Sequence, residues 1–136
     1  MEKEMQQKFF ELQMMDQQIK QIQKNIEMIE TQIIELEAIN QSLGELGEVK
    51  SGTEILVPVA GGVFAKAELK DNKNLVINVG AGTSVKKSIP ETQNMIKSQI
   101  DEIANTRDEM LLELQKFVKK AQDLQKDMQK MQKEKK

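Results

Sequence analysis

The chain has 136 residues, about a third of them charged and only 3% aromatic, with a net charge of −2. So little aromatic bulk cannot fill a large globular core, which leaves the apolar residues to work in narrow seams of one structural unit. The slightly acidic balance argues against nonspecific nucleic-acid binding, so no nucleic-acid partner is expected.

The absence of Cys removes disulfides and thiolate metal sites and fits a reducing cytosol. With no His either, any acid–base chemistry would rest on Asp, Glu or Lys alone. The residues form no catalytic constellation, and no enzyme activity, metal or cofactor is expected. There is no apolar run of membrane-spanning length and no signal-like N-terminus, so a soluble cytoplasmic protein without membrane contacts is expected.

Residues 1–46 read as the first helix. Met5, Leu12, Ile19, Ile26 and Ile33 recur every seventh position, with Asn40 next in line. Lys8, Met15, Ile22, Ile29, Leu36 and Leu43 form the second line. This alternation of three and four is the a/d repeat of a coiled coil. Gly44 and Gly47 are where the helix is expected to stop, since glycine suits a C-cap.

Residues 53–87 change period. Ile55, Val57 and Val59 alternate with other residues, followed by Val63, Ala65, Ala67 and Leu69, then Leu75, Ile77 and Val79, and finally Val85. Alternation broken by Gly61-Gly62, Asp71-Asn72-Lys73-Asn74 and Gly80-Ala81-Gly82 predicts four short strands in two hairpins. Pro58 cannot donate to a ladder, so its strand should lie at an edge or bulge there. Gly80 and Gly82 are two glycines of a dinucleotide loop, but no third follows and no helix begins, so turn glycines are the better account.

Residues 88–134 read as the second helix. Ser88, Pro90 and Glu91 form a helix start of capping-box type. Its seam runs Ile96, Ile100, Ile103, Arg107, Met110, Leu114, Phe117, Ala121, Leu124, Met128 and Met131. Arg107, the one polar member, can lay its stem along the seam and send its charge outward. Two helices of nearly equal length, ~65 Å at 1.5 Å per residue, joined by a compact module, predict an antiparallel hairpin. The fold class is α+β, mainly α. The Ile- and Leu-rich half of the seam should hold firmly, and the Met-rich half near the chain ends should be looser.

Two surfaces are left over. Phe9, Phe10 and Met14 lie off the seam lines near the chain start. Together with Met1, Met5, Met128 and Met131 they gather Met and Phe at one tip, a candidate site for promiscuous hydrophobic binding. Met-rich surfaces adapt to many partners. Residues 116–136 carry eight Lys against three acids, while residues 1–46 have a net charge of −5. The second surface is the sheet. Ile55, Val57, Val59, Val63, Phe64, Leu75, Val76, Ile77, Val79 and Val85 are the candidate assembly strands. Four short strands bury too little alone and leave open edges, so they should close with other chains into a barrel.

The stretch ILVPVAGGVFAKAEL followed by NLVINVGAGTSVKKS resembles the α-type subunits of the prefoldin family, and the order helix, two hairpins, helix extends the resemblance to the whole chain. The Val57-Pro58-Val59 and Val79-Gly80-Ala81-Gly82 segments are its most specific part. The resemblance implies a hub of two α-type and four β-type subunits, joined through β-barrels and trailing coiled-coil tentacles. It implies that tips hold unfolded polypeptides without ATP and deliver them to a group II chaperonin. The class occurs in archaea and eukaryotes, and an archaeal source fits. The alternative is a structural coiled-coil tether or scaffold without client binding. A transcription factor probing a polymerase channel would need an acidic tip and a globular domain after the hairpin.

Overall fold

The computed structural model describes residues 2–134. Its elements are α1 (Glu2–Glu48), β1 (Glu54–Ala60), β2 (Val63–Glu68), β3 (Asn74–Gly80), β4 (Thr83–Ser88) and α2 (Ile89–Glu134). The chain is therefore mainly helical, with two antiparallel hairpins between two long helices. Its contacts fall into two compact units: Ile34–Asp101, and the helix segments on either side of it.

In the unit made by α1 up to Ile33 and α2 from Glu102, the seam is formed by the heptad positions. All nine α1 positions on the two lines, from Met5 to Ile33, are half-buried or buried, and so are the matching α2 positions from Ile103 to Met131. Ile26, Ile33, Ala121 and Leu124 are buried most deeply. Lys8 Nζ lies 3.9 Å from Asp127 Oδ2, which sets the start of α1 beside the end of α2 and makes the pair antiparallel. The seam methionines near the chain ends are half-buried, but so are Leu12, Ile19, Ile22 and Ile29, so burial does not mark the ends as looser. Ala121 and Leu124, toward the end of α2, are buried. Arg107 is half-buried, and its guanidinium bonds to the neighbouring Asp108 carboxylate at 3.3 Å.

In the unit Ile34–Asp101, α1 does not stop at its glycines. It continues through Gly44 and Gly47 to Glu48. Both glycines face α2: a Cβ on Gly44 would stand 3.1 Å from Gln93 Nε2, and one on Gly47 3.5 Å from Ile89 Cδ1. The bare backbone lets the start of α2 approach closely. That packing outweighs the ~1 kcal/mol that glycine costs inside a helix. Ile89, Thr92 and Ile96 are buried along this approach.

The hairpins follow the alternation. β1 pairs with β2 and β3 with β4, each as a separate two-stranded sheet. Both registers slip one residue before the turn, between Pro58 and Ala60 in the first hairpin and between Asn78 and Gly80 in the second. The slip beside Pro58 falls where an irregularity was expected, but the second hairpin slips in the same way at Asn78 without a proline, so the bulge belongs to the shared turn geometry. The turns place Gly61, Gly62, Ala81 and Gly82 at positive φ, the twist that matches flanking strands in tight hairpins. Ala81, at φ 51°, is the non-glycine residue held there.

At the start of α2, the Ser88 hydroxyl accepts the Glu91 N–H at 3.2 Å, the expected cap. The second bond is made by Thr92 Oγ1, donating to the Ser88 carbonyl at 2.9 Å, and not by the Glu91 carboxylate of a capping box.

The linker between β2 and β3 ties these parts together. Asn72 Nδ2 donates to the Val49 carbonyl at 2.9 Å, and Ser51 Oγ donates to the Lys70 carbonyl at 2.7 Å. The Gly52 N–H reaches the Leu69 carbonyl, and the Ile89 N–H reaches the Lys73 carbonyl. One short segment thereby holds the end of α1, the first hairpin and the beginning of α2.

Candidate functional site

Two groups of uncovered apolar side chains stand out, one in each unit. The first lies where α1 begins and α2 ends. Phe9, Phe10 and Met14 fall off the seam lines and are 53%, 62% and 45% exposed. Each is therefore available to a partner, although burying a Phe or Met side chain stabilises by ~1.5–3 kcal/mol. Met5, Met128 and Met131 occupy seam positions and are half-buried. Met1, also expected at this tip, lies outside the described residues. The charge is mixed: Glu4, Gln7, Lys8 and Glu11 line a shallow open depression of about 280 Å³ on α1.

The second group is on the strands. Val57, Val59, Val63, Phe64, Val76 and Val79 are all exposed, Val76 at 77%. Ile55, Leu75, Ile77 and Val85 are half-buried. The register explains the difference between the hairpins. In the second, Ile77 faces Val85 on one side, whereas Asn78 faces Ser84 on the other. The first carries apolar pairs on both faces, Val57 with Ala65 on one and Pro58 with Phe64 on the other. Leu56 adds to that second face and is 63% exposed. The first hairpin is thus apolar on both faces and is a two-stranded sheet by itself.

Lys86 and Lys87 read in sequence as a solvent-facing strand end. Lys86 is exposed, but Lys87 is half-buried, with its Nζ 3.9 Å from Met95 Sδ at the start of α2. Sequence reasoning passed over a third set: Met28, Ile34, Ile39, Leu111 and Leu112, all exposed on the helices. Their signal was available, because each is a large apolar residue off the seam lines. Among the described residues there is no group of side chains that could hold a metal ion, and no helix long and apolar enough to cross a membrane.

Helices paired in antiparallel, joined through two open hairpins with uncovered valines, define a class: a coiled-coil subunit of a larger assembly. The Prefoldin family model, for a prefoldin subunit, matches residues 15–134. The chain belongs to the prefoldin family, whose members are chaperone-type subunits of oligomeric assemblies. It is 28% identical to the prefoldin subunit alpha of Methanococcus aeolicus, over 95% of this chain and 88% of that one. It is 26% identical to the prefoldin subunit alpha of Archaeoglobus fulgidus, over 93% of each chain. Its fold is similar to that in the cryo-EM structure of filamentous PFD from Methanocaldococcus jannaschii. There the TM-score is 0.76 at 20% identity, covering 85% of this chain and 95% of the other.

Proposed function

We propose that this chain is an α-type subunit of an ATP-independent holding chaperone in the cytoplasm. Residues 1–136 act as one prefoldin-like unit. The strands of its hairpins join an intersubunit β-barrel with β-type subunits, two α with four β. Phe9, Phe10 and Met14, together with Met5, Met128 and Met131, hold unfolded polypeptides for delivery to a group II chaperonin. The observation that carries this reading is the exposure of both phenylalanines beside flexible methionines, on helices whose seam is otherwise covered. A client without fixed shape needs adaptable apolar contacts, and several weak tips on one hub bind a single chain by avidity.

Two measurements test it. The native mass of the complex recovered through a tag on this chain should correspond to two copies with four of a β-type partner; a monomer would overturn the assembly half. A complex lacking residues 1–14 and 124–136 of this chain should assemble normally but suppress aggregation of an unfolded protein less well. Unchanged suppression would remove client holding from this tip and leave a structural scaffold.

A further inference from the structure

The faces that the two helices turn outward differ in kind. With the seam lines of α1 as heptad positions a and d, Phe10, Gln17 and Lys24 stand at f, and Met14, Gln21 and Met28 at c. Positions c and f point away from the partner helix. All six residues are exposed, Phe10 at 62%, Met14 at 45% and Met28 at 61%. They follow one another at alternating steps of four and three, so they form one continuous stripe on one face. Lys24 is its only charge. On α2 the matching positions are charged at Glu102, Glu109, Lys116, Lys119 and Asp123, with only Asn105 and Leu112 between them uncharged.

A cavity adjoins the stripe. Gln18, Gln21, Ile22, Glu113 and Phe117 line an open pocket of about 170 Å³ on the flank of the helix pair. Gln21 belongs to both the stripe and the pocket, midway between Met14 and Met28. Ile22 and Phe117 are half-buried seam residues that give the pocket its apolar part. A cavity of ~150 Å³ takes up a benzene ring, so this one has room for an apolar side chain.

The spacing decides what can lie on the stripe. A packed helix needs an apolar residue every three or four positions, and Gln17, Gln21 and Lys24 break that run between Met14 and Met28. An extended chain has no such requirement. Its unpaired backbone N–H and C=O groups can be met by the amides of Gln17 and Gln21, which both donate and accept. Little charge has to be desolvated beneath it, and the Lys24 stem can lie flat with its ammonium in water.

We propose that an unfolded client continues from the tip along the outer face of α1, as an extended segment that passes Gln21 and sets one apolar side chain against Ile22 and Phe117. The proposal rests on the client-holding reading above and adds to it a path for the client, since Phe10 and Met14 belong to both tip and stripe. From Phe10 to Met28 the path covers ~27 Å at 1.5 Å per residue, the reach of about eight extended residues.

The test places a photoreactive phenylalanine analogue at position 10, 21, 28 or 109 of this chain in the assembled complex. All four residues are exposed, and Glu109 stands on the outer face of α2. The probe is a labelled unstructured peptide of Leu and Ser, about twelve residues long so that it can span the path. Positions 10, 21 and 28 should capture the peptide in similar yield, at least about five-fold above position 109, a difference of ~1 kcal/mol. Capture at position 10 alone overturns the path and leaves holding at the tip. Capture of another subunit at position 21 or 28 shows the face to be covered within the assembly and overturns the path as well. If no position captures the peptide, the holding reading itself falls.

Discussion

Gln93 and Gly44 meet across the helix pair so closely that a Cβ on the glycine would stand 3.1 Å from Gln93 Nε2. The same amide donates to the Asn40 carbonyl at 3.2 Å, one turn earlier on α1. Two opposing effects follow for Gly44→Ala. Helix propensity favours alanine by ~1 kcal/mol. The new methyl displaces the Gln93 amide, weakening a hydrogen bond worth ~0.5–1.5 kcal/mol. Gly44→Ala should therefore change stability by less than about 1 kcal/mol. Gly44→Leu has no room and should destabilise by ~1–3 kcal/mol through overpacking. Urea unfolding of the two variants, followed by helical circular dichroism, checks the pair. A tolerated leucine would mean that the helices do not approach here.

The seam predicts a gradient of a different kind. Ile26 and Ile33 are each 7% exposed, so truncating either to alanine removes a packed side chain and should cost ~2–4 kcal/mol. Met128 is half-buried at the end of the pair, where a truncated side chain leaves less of a cavity, so Met128→Ala should cost under about 1.5 kcal/mol. The midpoints of denaturant unfolding should separate accordingly. Equal losses at the three positions would contradict the burial described here.

The heptad lines were legible because a long two-helix seam has one physical requirement: whatever its residues are, they must lie between the helices. Even Lys8 and Asn40, polar members of the lines, are half-buried where the repeat puts them. The four strands were legible for the same reason, since period two has one structural meaning. The end of α1 was misjudged because Gly44 carries two opposite messages, stop and close approach, and only the position of Gln93 decides between them. The clasp of Asn72 on Val49 and Ser51 on Lys70 had no sequence signal, because a side chain that bonds a backbone group about twenty residues away leaves no periodicity. Of the uncovered apolar residues, Phe9 and Phe10 were legible as off-seam aromatics near a chain end. Leu111 and Leu112 carried the same off-seam signal in the middle of α2 and were passed over.

Ala81 gives a prediction in which the mutant is the more stable protein. Its φ of 51° is a left-handed conformation, which costs a residue with a Cβ ~1–2 kcal/mol. Glycine avoids that strain but has more unfolded-state freedom to lose, ~0.4–1 kcal/mol. Ala81→Gly should raise stability by about 0.5–1 kcal/mol, and Ala81→Val, β-branched at the same φ, should lower it by more than that. Thermal unfolding of the two variants should bracket the natural chain. A destabilised glycine variant would show that the turn is not held in this conformation.

Asp71 makes stability depend on pH through the linker that holds both helices. Its Oδ1 accepts the Lys73 and Asn74 N–H groups at 2.8 and 3.2 Å, and its Oδ2 accepts the Asn74 side-chain amide at 3.2 Å. These bonds favour the ionised form, the Lys73 N–H most strongly, and hold the carboxyl below its ordinary value of 3.8; the charge of Lys86 adds to the effect. A folded pKa below the unfolded one means that the unfolded chain takes up the proton first as pH falls. The contribution of this carboxylate is therefore fully present above the unfolded value, declines as pH drops below 3.8 and is gone once pH falls through the lower folded value. Asp71→Asn keeps an acceptor for the two N–H groups but has no charge to lose. Many other carboxylates titrate in the same range, so the quantity to measure is the stability difference between the natural chain and Asp71→Asn at successive pH values. That difference should be level above the ordinary carboxylate range and shrink as acid is added. A difference that holds constant through strong acid would show that the Asp71 charge has no part in closing the linker, leaving the Asn72 bond to Val49 to hold the end of α1.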